Sequence, residues 1–178
     1  MTRLLLAVLS IVMLMSGSAQ AADKDTLYLD LKSGRVTIKL RPDLAPKHVE
    51  RIKKLTKEGF YNGLKFHRVI TGFMAQTGDP TGTGTGGSTL PNLPAEFTDT
   101  PFKRGTLGAA RTNDPNTGNS QFFIVLEASP HLNGKYTLFG EVTSGMEHVD
   151  RIKKGNDASG TVFNPDTIVK MQLASDAK

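Results

Sequence analysis

Cysteine is absent from all 178 residues, which removes disulfides, thiolate nucleophiles, zinc–thiolate sites and the acylated N-terminus of a lipoprotein together. A chain without such staples must rest on its hydrophobic core. Residues 22–178 are long enough for one core, since a domain near this size buries roughly 70% of its unfolded surface. Tryptophan is also absent. The net charge is +5, with many basic residues concentrated in 47–57 and 151–154, yet neither stretch holds an aromatic ring that could stack on a base. Both read as solvated helix faces, and no nucleic-acid partner is expected.

Long apolar runs are missing too, except at the very start. Thr2 and Arg3 precede residues 4–15, apolar apart from Ser10, and small residues lead from Ser16 to Ala21. The run falls short of the about 20 residues that a bilayer requires, and no stop-transfer pattern follows. Ala19 and Ala21 satisfy the small-x-small rule of a cleavage site. Residues 1–21 are therefore expected to be an export signal, leaving residues 22–178 as one periplasmic domain with no membrane span.

Catalytic motifs of the common kinds are lacking as well. The histidines are His48, His67, His131 and His148; none has a carboxylate at metal-ligand spacing, and no G-x-S-x-G elbow exists. Neither a metal nor a cofactor is expected. Gly82, Gly84 and Gly87 fit G-x-G-x-x-G, but Pro91 and Pro94 follow where a nucleotide-binding helix would have to begin. That stretch reads as a flexible surface loop.

What is present is alternation. Residues 26–32 and 35–40 alternate apolar and polar residues around Ser33-Gly34, the pattern of a β-hairpin with Leu27, Leu29, Leu31, Val36, Ile38 and Leu40 facing inward. Further short strands are expected at 65–70, 73–77, 105–110, 121–126, 137–142 and 167–173. Val49, Ile52 and Leu55 recur at helical spacing between Pro46 and Gly59, and Met146, Val149 and Ile152 do so before Gly155. The helix stretches 48–54 and 148–154 are nearly identical, but their flanks share nothing, so no duplication is inferred. An all-β-dominated fold is expected: a closed antiparallel barrel, which removes exposed edges, with two α-helices over its ends.

Periodicity alone makes Phe73, Met74, Phe122 and Phe123 core residues and Arg68 a surface charge. Three longer segments add to this: 66–80 (Phe-His-Arg-Val-Ile-Thr-Gly-Phe-Met-Ala-Gln-Thr-Gly-Asp-Pro), 108–124 with Asn119-Ser-Gln-Phe-Phe-Ile124, and 131–142 with Leu132-Asn-Gly-Lys-Tyr-Thr-Leu-Phe-Gly140. In content, order and spacing they resemble the signature segments of cyclophilins, peptidyl-prolyl cis–trans isomerases, of which this chain looks like a bacterial periplasmic-type member. The resemblance spans the whole of residues 22–178 and implies an eight-stranded barrel with a helix at each end. It also implies that Arg68 is the catalytic arginine with Gln76 beside it. Phe73, Met74, Phe123 and Leu132 would line a proline pocket, and Ala110, Arg111 and Gln121 the channel for residues before the proline. Where many eukaryotic members carry a cyclosporin-contacting Trp and a pocket His, this chain has His131 and Tyr136. Arg111 replaces a substrate-holding Asn.

The expected activity is rotation of X-Pro bonds in unfolded or newly exported polypeptides, by a monomer. Two other readings stand beside it: a proline-binding chaperone or docking module without turnover, and a barrel carrier for small ligands. The carrier needs an empty lumen, which the many inward Leu, Ile, Val and Phe side chains argue against.

Overall fold

The computed structural model describes residues 24–177; the expected export signal, residues 1–21, lies outside them. The chain folds into eight strands and two α-helices: β1 (Thr26–Leu31), β2 (Gly34–Leu40), α1 (Pro46–Lys57), β3 (Arg68–Ile70), β4 (Met74–Thr77), β5 (Thr106–Ala109), β6 (Phe122–Val125), β7 (Leu138–Ser144), α2 (Met146–Asp150) and β8 (Ile168–Leu173). The β1–β2 hairpin has its turn at Lys32-Ser33, with Gly34 already paired to Leu31. This places the turn one residue earlier than expected and leaves the alternation intact.

All strands belong to one antiparallel sheet in the order β3-β4-β6-β5-β7-β2-β1-β8. The sheet curls strongly, but it is an open half-barrel and not the closed barrel expected. Its end strands β3 and β8 share no ladder. The reason lies in the chain flanking them. Ahead of β3, residues 62–64 reach β8, through Gly63 N–H to Ile168 O at 2.7 Å, Ile168 N–H to Leu64 O at 2.9 Å and Met171 N–H to Asn62 Oδ1 at 2.9 Å. The short β3 instead turns its outer edge to the irregular segment before β8, where Val69 N–H donates to Gly160 O at 2.8 Å and Val162 N–H to His67 O at 3.1 Å. Pro165 has no N–H to offer a ladder there.

Strand alternation gives the sheet two apolar faces. The concave one takes the expected Leu27, Leu29, Leu31, Val36, Ile38 and Leu40, joined by Val69, Ala75, Leu107, Phe122 and Ile124. Each large side chain buried this way stabilises by about 1.5–3 kcal/mol before ordering costs. The convex face of β4, β5 and β6 carries a second cluster of Met74, Phe102, Phe123, Val125, Leu132 and Leu138. Phe122 and Phe123 are neighbours in sequence and so point to opposite faces.

Helix α1 lays Val49, Ile52 and Leu55 on the concave core beside β7 and β8. Its N-terminus has Pro46 in the first turn and no side-chain cap from Ala45. A distant carboxylate does that work: Glu96 accepts from the N–H groups of Lys47 and His48 at 3.0 Å each, and from the buried His48 ring Nδ1 at 2.6 Å. Helix α2 stops at Asp150, earlier than the expected end at Gly155. The backbone donors that would extend it are diverted: Lys153 N–H goes to Asp166 Oδ2 at 2.8 Å and Gly155 N–H to Val69 O at 2.9 Å.

Candidate active site

One register row crosses the convex face and assembles the site. Arg68 on β3 pairs with Gln76 on β4, Gln76 with Phe123 on β6, and Phe123 with Gly108 on β5. Side chains opposite one another across antiparallel strands lie within reach, so the row sets a guanidinium, an amide and an aromatic ring side by side. Gly108 completes it by what it lacks. A Cβ there would overlap the Phe123 ring and stand 2.8 Å from Phe102 Cε1. The bare backbone lets Phe123 lie flat against the sheet, stacked on Phe102 with centroids 6.1 Å apart.

Beside this row opens a pocket of about 170 Å³. Its floor is apolar, from Met74, Phe123 and Leu132, all buried. Phe73, Ala110 and Tyr136 form its walls, and Arg68, Gln76 and Arg111 stand at its polar side. Leu132 arrives on a one-turn 3-10 helix, Pro130–Leu132, which is tied down by Ser129 N–H to Phe102 O and Phe102 N–H to Asn133 Oδ1, both 2.9 Å. His131, on the same turn, is exposed and does not line the pocket; it packs at the rim against Phe73, centroids 5.2 Å apart.

Gln76, Ala110 and Arg111 also line a second, larger hollow of about 450 Å³, whose other wall is the glycine-rich loop and which includes Gln121. The expected channel residues Ala110, Arg111 and Gln121 are therefore together. The two hollows meet at Arg111, whose guanidinium lies 4.4 Å from the centroid of the Tyr136 ring.

A directed chain of hydrogen bonds positions Arg68. Its Nε donates to the Ser159 carbonyl at 2.9 Å and its Nη1 to Gln76 Oε1 at 3.3 Å. Gln76 Nε2 donates to Gln121 Oε1 at 2.8 Å, and Gln121 Nε2 to the carbonyls of Gly84 and Gly86 at 3.0 and 2.8 Å. Carbonyls only accept, so they turn the Gln121 amide nitrogen toward the loop. Each amide then presents its oxygen to the next donor, and the last oxygen faces Arg68.

The loop can act as an anchor because it is itself anchored, unlike the flexible segment expected from its composition. Asp79, only 1% exposed, accepts from Thr81 N–H and hydroxyl at 2.8 Å each, and from the N–H groups of Thr83, Gly84 and Gly86 at 3.1, 2.6 and 3.2 Å. Such a ring of backbone donors is an anion nest. Burial alone would raise the Asp79 pKa; the bonds from Thr81, Gly86 and Gly84 outweigh it and hold the group at about 2. A Cβ on Gly86 would collide with Asp79 Oδ1. Asn119 fixes the far end, accepting from Ser88 N–H at 2.9 Å and donating to Leu90 O at 2.9 Å.

Sequence reading missed Asp79, Gly108, Phe102 and the Ser159 carbonyl. Asp79 had a signal, an acid followed, after Pro80, by a threonine–glycine repeat able to wrap it with N–H groups. A backbone carbonyl such as that of Ser159 is offered by every residue type and leaves none. Among the described residues, no cluster of three or more His, Cys, Asp or Glu is arranged to hold a metal, and no helix is long and apolar enough to cross a membrane.

The site thus sets a fixed guanidinium beside a small apolar pocket on the outside of a curled sheet. Comparison with known proteins agrees with that architecture. The family model for cyclophilin type peptidyl-prolyl cis-trans isomerases matches residues 26–173. A probable peptidyl-prolyl cis-trans isomerase of Brucella suis is 55% identical over 174 residues, covering 90% of this chain and 89% of that protein. Peptidyl-prolyl cis-trans isomerase B of Bacillus subtilis is 46% identical over 134 residues, covering 74% and 92%. Among solved structures, a cyclophilin of Hirschia baltica superposes with a TM-score of 0.79 at 28% identity, covering 88% of this chain and 77% of that one. A cyclophilin type isomerase of Cryptosporidium parvum, crystallised in the presence of the dipeptide Ala-Pro, gives 0.76 at 30% identity over 83% and 98%. The chain belongs to the cyclophilin-type peptidyl-prolyl cis–trans isomerases, and is an enzyme of the isomerase class.

Proposed function

We propose that this chain acts as a monomer on X-Pro bonds of unfolded or newly exported polypeptides in the periplasm, with residues 1–21 as its export signal and Arg68 as the group that lowers the barrier. Rotation about a peptide bond costs about 18–20 kcal/mol because the C–N bond has partial double-bond character, whereas the two X-Pro isomers differ by only about 0.5–1 kcal/mol. The catalyst has a barrier to lower and almost no equilibrium to shift. No proton, electron or group is transferred. A binding site with one well-aimed donor suffices.

In the twisted transition state the prolyl nitrogen loses resonance with its carbonyl and gains a basic lone pair. Arg68 carries five N–H groups; two are committed, to Ser159 O and Gln76 Oε1, and the others have no partner among the described residues and can turn to substrate. A donor to that nitrogen gains strength only as the bond twists, which is differential stabilisation. Met74, Phe123 and Leu132 would grip the pyrrolidine ring while the preceding carbonyl swings. Gln76, itself oriented by Gln121 and the loop, keeps the guanidinium from following the substrate.

The observation that carries this reading is the single row of Arg68, Gln76 and Phe123 beside a ring-sized apolar pocket. Its test is the cis-to-trans rate of an Ala-Pro peptide with and without purified residues 22–178. Catalytic acceleration at substoichiometric protein is expected. Peptide binding without acceleration would leave a docking module in its place.

A further inference from the structure

Both hollows of the site carry arginine in their walls, and the carboxylate behind the loop wall, Asp79, is enclosed by the loop's own N–H groups. Arg68 and Arg111 are among the lining residues, and no Asp or Glu is. The partners of Arg68 are a carbonyl and an amide oxygen. Those of Arg111 are carbonyls as well: Lys135 O, 2.9 Å from Nη2 and 3.3 Å from Nε, and Thr112 O, 2.8 Å from Nη1, with Asn113 O at 3.4 Å. Asp114 is three residues away in sequence, but its carboxylate caps the short 3-10 turn after it, accepting from Asn116 N–H at 2.8 Å, and lines neither hollow. Lys135, exposed next to Tyr136, adds a further positive charge.

Arg111 is also rigidly placed. Its planar fork is held against the Tyr136 face and by two backbone segments, which leaves one N–H of Nη2 without a partner among the described residues. A fixed guanidinium with a spare donor, at the junction of the ring pocket and the neighbouring hollow, is suited to a carboxylate.

We propose that Arg111 is a specificity-determining residue that favours substrates bearing Asp or Glu two residues before the proline. This rests on the reading of the site as an X-Pro isomerase whose larger hollow takes the residues preceding the ring. The preference is modest, because solvent reaches both hollows. An exposed ion pair of this kind is worth about fivefold in a rate ratio.

The experiment compares kcat/KM for three tetrapeptides that differ only in Glu, Gln or Lys two residues before the proline, at low salt and at 1 M salt. The wild-type chain should rank them Glu above Gln above Lys, with Glu over Lys by about fivefold at low salt and close to one at 1 M, where screening is short-ranged. Arg111→Gln should bring the low-salt ratio within twofold of one, and Arg111→Lys should keep most of it. Equal rates for the three peptides with wild type would overturn the assignment, as would a fivefold ratio that survives Arg111→Gln, which would trace the effect to the overall positive charge. Failure to turn over any of the peptides would overturn the isomerase reading itself, and this inference with it.

Discussion

Replacing Asp79 by Asn should cost both stability and catalysis, and the stability cost should depend on pH in a defined direction. The carboxylate accepts from Thr81, Thr83, Gly84 and Gly86; an amide would turn one NH2 group toward those N–H donors and lose the charge that strengthens the remaining bonds. Holding the carboxyl at about 2 where its ordinary value is 3.8 corresponds to up to about 2 kcal/mol at neutral pH. The folded pKa lies below the unfolded one, so this contribution is complete above about pH 5 and is lost as pH falls from 4 to 2. Thermal or urea unfolding of both proteins across pH 2–7 measures it. At pH 7 the variant should melt about 4–8 °C lower, and the gap should close toward pH 2. A gap that stays constant with pH would refute the nest as its origin. Turnover of a proline peptide by the folded variant should fall by several-fold, because Gln121 would lose its fixed carbonyl partners and with them the orientation of Gln76 and Arg68.

Gly108→Ala should push Phe123 off the sheet, destabilising by about 1–3 kcal/mol and raising KM for proline peptides; unchanged KM with unchanged stability would show that the ring has room to spare. Burial lowers the pKa of His48 and of His67 against the opposing attraction of Glu96 and Asp79, so both are neutral in the folded state at pH 7. Stability should fall as pH drops below about 6.5, where the unfolded imidazoles take up protons; His48→Gln should flatten that part of a denaturation-against-pH profile, and a profile of identical slope would count against the assignment. Cyclosporin should inhibit the wild type weakly and His131→Trp more strongly, since the exposed rim position beside Phe73 gains a larger apolar face and an indole donor. Parallel drug titrations decide it, and equal inhibition of the two proteins would show that this rim position does not contact the drug.

Most of the fold was legible because its strands are half-buried. Period-two alternation put Leu27, Leu29 and Leu31 inside with no need of structure, and the spacing of Val49, Ile52 and Leu55 marked α1. The same periodicity could not say that Phe122 and Phe123 serve different cores, because two adjacent aromatics look alike until a register is known. The openness of the sheet was hidden for a related reason. It depends on which distant segment meets the edges of β3 and β8, a matter of loop length and of Pro165. The end of α2 was likewise set from afar, by Asp166 taking the Lys153 N–H. At the site, the three motif segments named the side chains that line the pocket. The positioning shell was less visible, since much of it is backbone: the carbonyls of Ser159, Gly84 and Gly86 and the N–H groups around Asp79.

Arg68→Ala bears most directly on the proposed mechanism. The side chain is half-exposed and contributes one wall of the pocket, so the variant should fold, with circular dichroism and a melting temperature near those of the wild type. Its kcat/KM for an Ala-Pro peptide should fall by about 10²-fold or more, the usual cost of removing one transition-state donor, while peptide binding weakens far less. Near-normal turnover by a folded Arg68→Ala protein would contradict the account, because the apolar pocket alone would then suffice for catalysis.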